Sequence, residues 1–80
     1  MLESPFTCRF REWLKEKRMR GMSAAYASGL VVSVSSVNNW QCGSIPTEET
    51  ARRFFSQFAG EDVEEWAKLV RESQEMRVVH

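Results

Sequence analysis

Eighty residues form one small domain, because a chain this short buries only about 60 to 65% of the surface it exposes when unfolded, too little for a second core. The apolar fraction of 42%, with five Phe and three Trp, excludes disorder of the whole chain. A formal net charge of zero gives no argument for a polyanionic partner, yet it hides a polarity: residues 9–20 are mostly basic and residues 61–77 mostly acidic.

In chain order, "FTCRFREWLKEKRM" spaces Phe6, Phe10, Trp13 and Leu14 at three and four residues, which predicts an amphipathic helix with its basic residues on the remaining faces. Ser4 is the expected cap and Pro5 suits the first turn. The helix is expected to end between Arg18 and Gly21, where glycine can take the left-handed terminating position. "SAAYASGL" follows, with Tyr26 and Leu30 four residues apart as a thin apolar edge among small residues.

The run "LVVSVSSVNNWQCG" is ambiguous. Its β-branched residues partly alternate, which is the mark of a half-buried strand. Against a strand, the alternation fails at Ser35-Ser36, and no second strand candidate is near to satisfy its backbone groups. Val34, Val37 and Trp40 also fit a helix that begins after Ser33 as N-cap and ends at Gly43. "IPTEETARRFFSQFAG" then gives a helix started by Pro46 and Thr47, with Glu48 and Glu49 in the first turn and Ala51, Phe54, Phe55 and Phe58 on one face. Asp62 and Glu65 stand in capping-box spacing at the head of a last helix over about 62–75, with Val63, Trp66, Ala67 and Val70 inward. The tail 76–80 is too short to classify.

The expected fold is therefore an all-α, five-helix domain spanning 1–80. Residues 23–43 resemble the helix-turn-helix of the Cro and lambda-repressor-like (Xre-type) DNA-binding family. Ala27 stands where that family has a small residue on the first motif helix. Tyr26, Leu30, Val32, Val37 and Trp40 match its apolar joining positions, and "WQCGSIP" is similar to its usual exit. Two residues depart from the pattern: Val31 replaces the usual turn glycine, and Ser23 stands where a phosphate-contacting Gln is common. Gly29, two residues before Val31, offers an earlier end to the first motif helix and a reshaped turn.

The resemblance implies that helix 33–42 enters the major groove of double-stranded DNA, with Ser33, Val34, Ser35, Asn38 and Asn39 at base edges. It implies phosphate contacts from Arg18, Arg20, Ser23, Gln41, Ser44, Arg52 and Arg53, with the backbone at Gly43. The function it points to is a transcriptional regulator: a phage or prophage Cro-like repressor, or an antitoxin. It is expected to act as a homodimer on a palindromic operator, since one such domain makes too few contacts for strong specificity. The alternative from another class is a protein-interaction module of the same fold that binds a partner through its acidic C-terminal helix, anchored by Trp66 if that residue is exposed. The uncharged stretch "VSVSSVNNW" keeps this alternative in play.

Neither an enzyme nor a metal or cofactor site is expected. His80 is the only histidine and has no second member for an acid/base pair or zinc site. Cys8 and Cys42 form no CxxC pair, so free thiols in a reducing compartment are the expectation. No apolar run approaches the roughly 20 residues a membrane span needs, and "MLESPF" lacks the basic flank and apolar stretch of a signal peptide. A cytoplasmic location is expected.

Overall fold

The computed structural model describes residues 3–78 and contains five helices in that range. Helix α1 spans Pro5–Lys17, α2 Gly21–Ala27, α3 Val34–Gln41, α4 Glu48–Phe55 and α5 Val63–Val78. The domain is all-α. No strand occurs among the described residues, so the β-branched run around Val32 resolves as a turn followed by a helix. The tail expectation falls partly on α5, which runs to Val78; residues 79–80, with His80, lie outside the described residues.

The caps explain most of the boundaries. Ser4, Ser33 and Thr47 each accept a hydrogen bond from the backbone N–H three residues on, and Asp62 does the same for Glu65 at 3.1 Å. α1 ends earlier than Gly21. Arg18 takes the left-handed conformation at φ 54°, while its own N–H and that of Met19 return to Lys15 and Leu14 carbonyls at 3.1 and 2.9 Å. These two backbone bonds close the helix in the manner usually given to glycine.

α1, α4 and α5 meet in an aromatic core. Phe6, Phe10, Trp13, Phe54, Phe55 and Trp66 are all buried, joined by Trp40 from α3. Phe55 stacks on Trp66 with ring centroids 3.9 Å apart and planes 4° from parallel, and Trp40 meets Phe54 edge-on at 5.2 Å. Pairs of this kind contribute about 0.5–1.5 kcal/mol each beyond their area burial. Trp66 is thus a core residue rather than an exposed anchor on α5. A polar clasp joins the ends of the chain: Ser73 Oγ accepts from the Phe6 N–H at 2.9 Å and donates to the Leu69 carbonyl at 2.7 Å. It satisfies one of the N–H groups that every helix start leaves open.

The α2–α3 unit corrects the expected packing. α2 buries Gly21, Ala24 and Ala25, followed by Ser28, so its inward face lies two residues earlier than the sequence pattern implied. Tyr26 is 61% exposed and Leu30 52%, and Ala27 is also exposed; none of the three joins α2 to α3. The cause is close approach. At Gly21 an added methyl group would meet the flexible Asn38 and Gln41 side-chain amides, which lie against the start of α2. Val32, Val37 and Trp40 do point inward as expected.

With α2 ending at Ala27, the connection to α3 lengthens to residues 28–33. Its positive φ angles fall at Gly29 (74°) and Leu30 (57°), and Val31 is spared that geometry. For Gly29 this conformation is free of strain; for Leu30 it costs about 1–2 kcal/mol.

Candidate nucleic-acid interface

α3 presents two faces because its apolar residues recur at three-residue intervals. Val37 and Trp40 are buried, and Val34 is half-buried against the core. The opposite face carries Ser35, Asn38 and Asn39, all exposed, with Cys42 exposed at the helix end. Three of the five expected base-contact residues therefore share one open, polar, uncharged surface. Val34 keeps only part of its side chain accessible. Ser33 is exposed but engaged, since its hydroxyl donates to Ser36 Oγ at 3.0 Å and accepts from the Ser36 N–H at 3.1 Å as the α3 cap.

Beside this surface lies a cleft of about 580 Å³ formed where α1 ends, α2 begins and α3 passes. Its lining includes Arg11, Lys15, Arg18, Arg20, Asn38 and Gln41. The basic residues converge for a simple reason: Arg11 and Lys15 stand four residues apart on one face of α1, Arg18 caps the end of that helix, and Arg20 lies in the short link to α2. Arg11 is partly consumed. It pairs with Glu3, and its Nε donates at 2.8 Å to the carbonyl of Gln41, the negative end of α3.

The other three are different. Among the described residues, Lys15, Arg18 and Arg20 face no carboxylate, whereas Arg9, Lys17, Arg52, Arg53 and Arg71 each have one. Unpaired cations gathered in one cleft retain their full attraction for an anion; paired ones have already given much of it up.

This divides the expected phosphate contacts. Arg18, Arg20 and Gln41 border the cleft next to Asn38. Ser23, in the first turn of α2, and Ser44, just beyond α3, are exposed on the same pair of helices, with the Ser44 N–H donating to the Asn39 carbonyl at 2.9 Å. Arg52 and Arg53 lie instead on α4, bonded to Glu64 and, at 2.9 Å, to Glu49. The structure does not bring them to the cleft. Lys15 and Arg11 stand outside the expected contacts, although their four-residue spacing is a signal present in the sequence.

Asn38 and Gln41 are coupled. Gln41 Nε2 donates to Asn38 Oδ1 at 3.4 Å, and both amides occupy the space that a side chain at position 21 would need. Gly21→Ala should therefore push the two flexible amides outward while leaving the fold intact. The expected result is a melting temperature within a few degrees of wild type, since such a shift costs about 1 kcal/mol or less, together with weakened ligand binding. Thermal melts paired with a binding titration separate the two effects.

Among the described residues, no group of three or more His, Cys, Asp or Glu side chains is gathered to hold a metal ion. No helix among them is long and apolar enough to cross a membrane. No protein-family model, curated protein or solved structure matches the chain.

Proposed function

We propose that this protein binds double-stranded DNA sequence-specifically and acts as a transcriptional regulator of the Cro-like kind, a repressor or an antitoxin, with α3 in the major groove. The observation that carries the reading is the adjacency of two surfaces: the carboxylate-free cations Lys15, Arg18 and Arg20, and the polar face Ser35–Asn38–Asn39. Cations that neutralise phosphates supply affinity without sequence information, and uncharged amides and hydroxyls at base edges supply the information. Asn pairs in bidentate fashion with adenine, and Ser donates or accepts, so such a face reads sites containing A·T pairs.

The division of labour has a measurable form. Asn38→Ala and Asn39→Ala should each weaken binding to the preferred duplex by about 1–3 kcal/mol, with random-sequence binding and folding nearly unchanged. Fluorescence anisotropy on both duplexes gives the comparison. Equal losses on the two would show that the amides touch backbone rather than bases.

The rival reading, a protein-binding module acting through α5, is less well supported. Trp66 is spent in the core, and Glu64 faces Arg52. What α5 leaves exposed is Met76 among charged residues, without an aromatic anchor.

Binding of the purified chain to a short duplex, measured over a range of salt, tests the proposal. Three phosphate contacts per subunit predict a fall in log K with log salt of slope about −3 per subunit. Absence of duplex binding at low salt would contradict it.

A further inference from the structure

Asn38 and Gln41 stand one turn apart on the same face of α3, and their amides do not turn independently. Gln41 Nε2 donates to Asn38 Oδ1 at 3.4 Å. Both amides lie over Gly21. The atom nearest the position that a methyl group there would take is Asn38 Oδ1, followed by Gln41 Nε2 and then Asn38 Cγ. The Asn38 oxygen therefore faces inward, and Nδ2 is turned to the open side. Electrostatics favours this sense of the amide over the reverse. The first N–H groups of α2 have no side-chain cap, and Arg18 and Arg20 border the same cleft, so the inner end of the amide sits in positive surroundings. Gln41 is held from behind as well, because its carbonyl accepts from Arg11 Nε at 2.8 Å. Asn39 differs: it is exposed beside Asn38, and its amide bonds to no other side chain among the described residues.

We propose that Gln41 is a positioning residue that fixes the polarity of Asn38, so that Asn38 reads guanine while Asn39 reads adenine. An amide that is free to turn presents its oxygen and nitrogen side by side, which matches the N6 donor and N7 acceptor of adenine. Asn39 keeps this option. The oxygen of Asn38 is engaged, and its outward Nδ2 offers donors only. At guanine a donor-only group meets two neighbouring acceptors, O6 and N7, the pattern that Arg and Lys exploit. At adenine it meets one acceptor and an amino group that repels it. Two identical side chains, adjacent in sequence, thus carry different codes. Gln41 then acts through Asn38 rather than on phosphate.

The inference rests on the reading of α3 as a major-groove helix, and it names the bases that this helix would select. Titrations with the duplex that wild type selects, varied one base pair at a time, test it. The pair read by Asn38 is the one whose identity ceases to matter to Asn38→Ala. There wild type should favour guanine over adenine by about fivefold or more. Gln41→Ala releases the amide and should bring the two bases to equality or favour adenine. The carboxylate of Gln41→Glu accepts from Asn38 Nδ2, turns Oδ1 outward and should make guanine the poorer base. Each ratio is taken within one protein, so a lost phosphate contact or a changed net charge, which weakens both duplexes alike, leaves it unmoved.

A wild-type preference for adenine at that pair, or a guanine preference that Gln41→Ala retains in full, would overturn the proposal. So would an Asn38→Ala variant that discriminates like wild type at every pair. The coupling has its own readout in the free protein: by nuclear magnetic resonance, a Gln41 side-chain N–H should exchange with water more slowly than in Asn38→Ala. Equal exchange would overturn the proposal without reference to DNA. Slower exchange in a chain that binds no duplex would overturn it through the DNA reading, with the coupling left standing.

Discussion

Replacing Trp40 with Ala is expected to remove about 3–5 kcal/mol of stability, the usual cost of deleting a large buried aromatic. The indole is 4% exposed and lies 5.9 Å from Phe6, 5.6 Å from Phe10 and 5.2 Å from Phe54, so it joins α3 to α1 and α4 at once. No neighbour can collapse into the gap without abandoning several ring pairings. A domain of this size has about 5–15 kcal/mol in total and loses about 4–8 °C of melting temperature per kcal/mol, so the fall should be at least about 12 °C. Because α3 depends on Trp40 for its place, the same variant should lose the organised Ser35–Asn38–Asn39 surface as well. Circular dichroism melts report the first effect directly. A loss under about 1 kcal/mol would mean that α3 is held by Val37 and the α2 crossing without its aromatic anchor.

Reversing Arg18 and Arg20 together to Glu should act on binding and leave folding nearly untouched. Both side chains border the cleft and face no carboxylate among the described residues, so no native ion pair is broken. Each phosphate that the protein no longer neutralises reduces the salt slope by about one, and the double reversal should lower duplex affinity at least about tenfold at physiological salt. Arg52→Gln with Arg53→Gln provides the contrast. Those guanidinium groups already face Glu64 and Glu49 away from the cleft, and their removal should leave the salt slope unchanged. Titrations at several salt concentrations, with all variants side by side, distinguish a cleft that holds phosphates from a general effect of net charge.

Three of the five helices are legible in the sequence because their signals are local and redundant. Ser4-Pro5, Thr47 and Asp62 fix the starts of α1, α4 and α5, and the aromatic residues at helical spacing within them are buried, whereas Phe58, expected on the same face of α4, falls beyond the end of that helix at Phe55 and is half-buried. α3 is legible despite its strand-like composition, because Val34, Val37 and Trp40 need one helical face and Ser33 caps it. The inward face of α2 is not legible, for a physical reason. A pattern of large apolar residues points to Tyr26 and Leu30, but a close helix crossing buries small side chains, and here Gly21, Ala24, Ala25 and Ser28 fill it. The displaced large residues, Tyr26 and Leu30, are left exposed.

The candidate site shows the same limit. Ser35, Asn38 and Asn39 share the open face of α3, as spacing along one helix implies, but separating the seven expected phosphate contacts requires tertiary structure. Nothing local pairs Arg52 with Glu64, twelve residues away in the next helix, or marks Arg18 as unpaired. The Arg53–Glu49 pair, at i and i+4, can be anticipated from the sequence alone. The convergence of Lys15 with Arg18, Arg20 and Asn38 depends on how α1 crosses α3.

The central claim is that α3 reads sequence while the neighbouring cleft holds the backbone. Selection of duplexes from a random pool by the purified full chain, at physiological salt, tests it most directly. The account predicts enrichment of a short site containing A·T pairs, and loss of that enrichment with Asn38→Ala and Asn39→Ala. A pool that remains random after repeated rounds with the folded wild-type protein would contradict it.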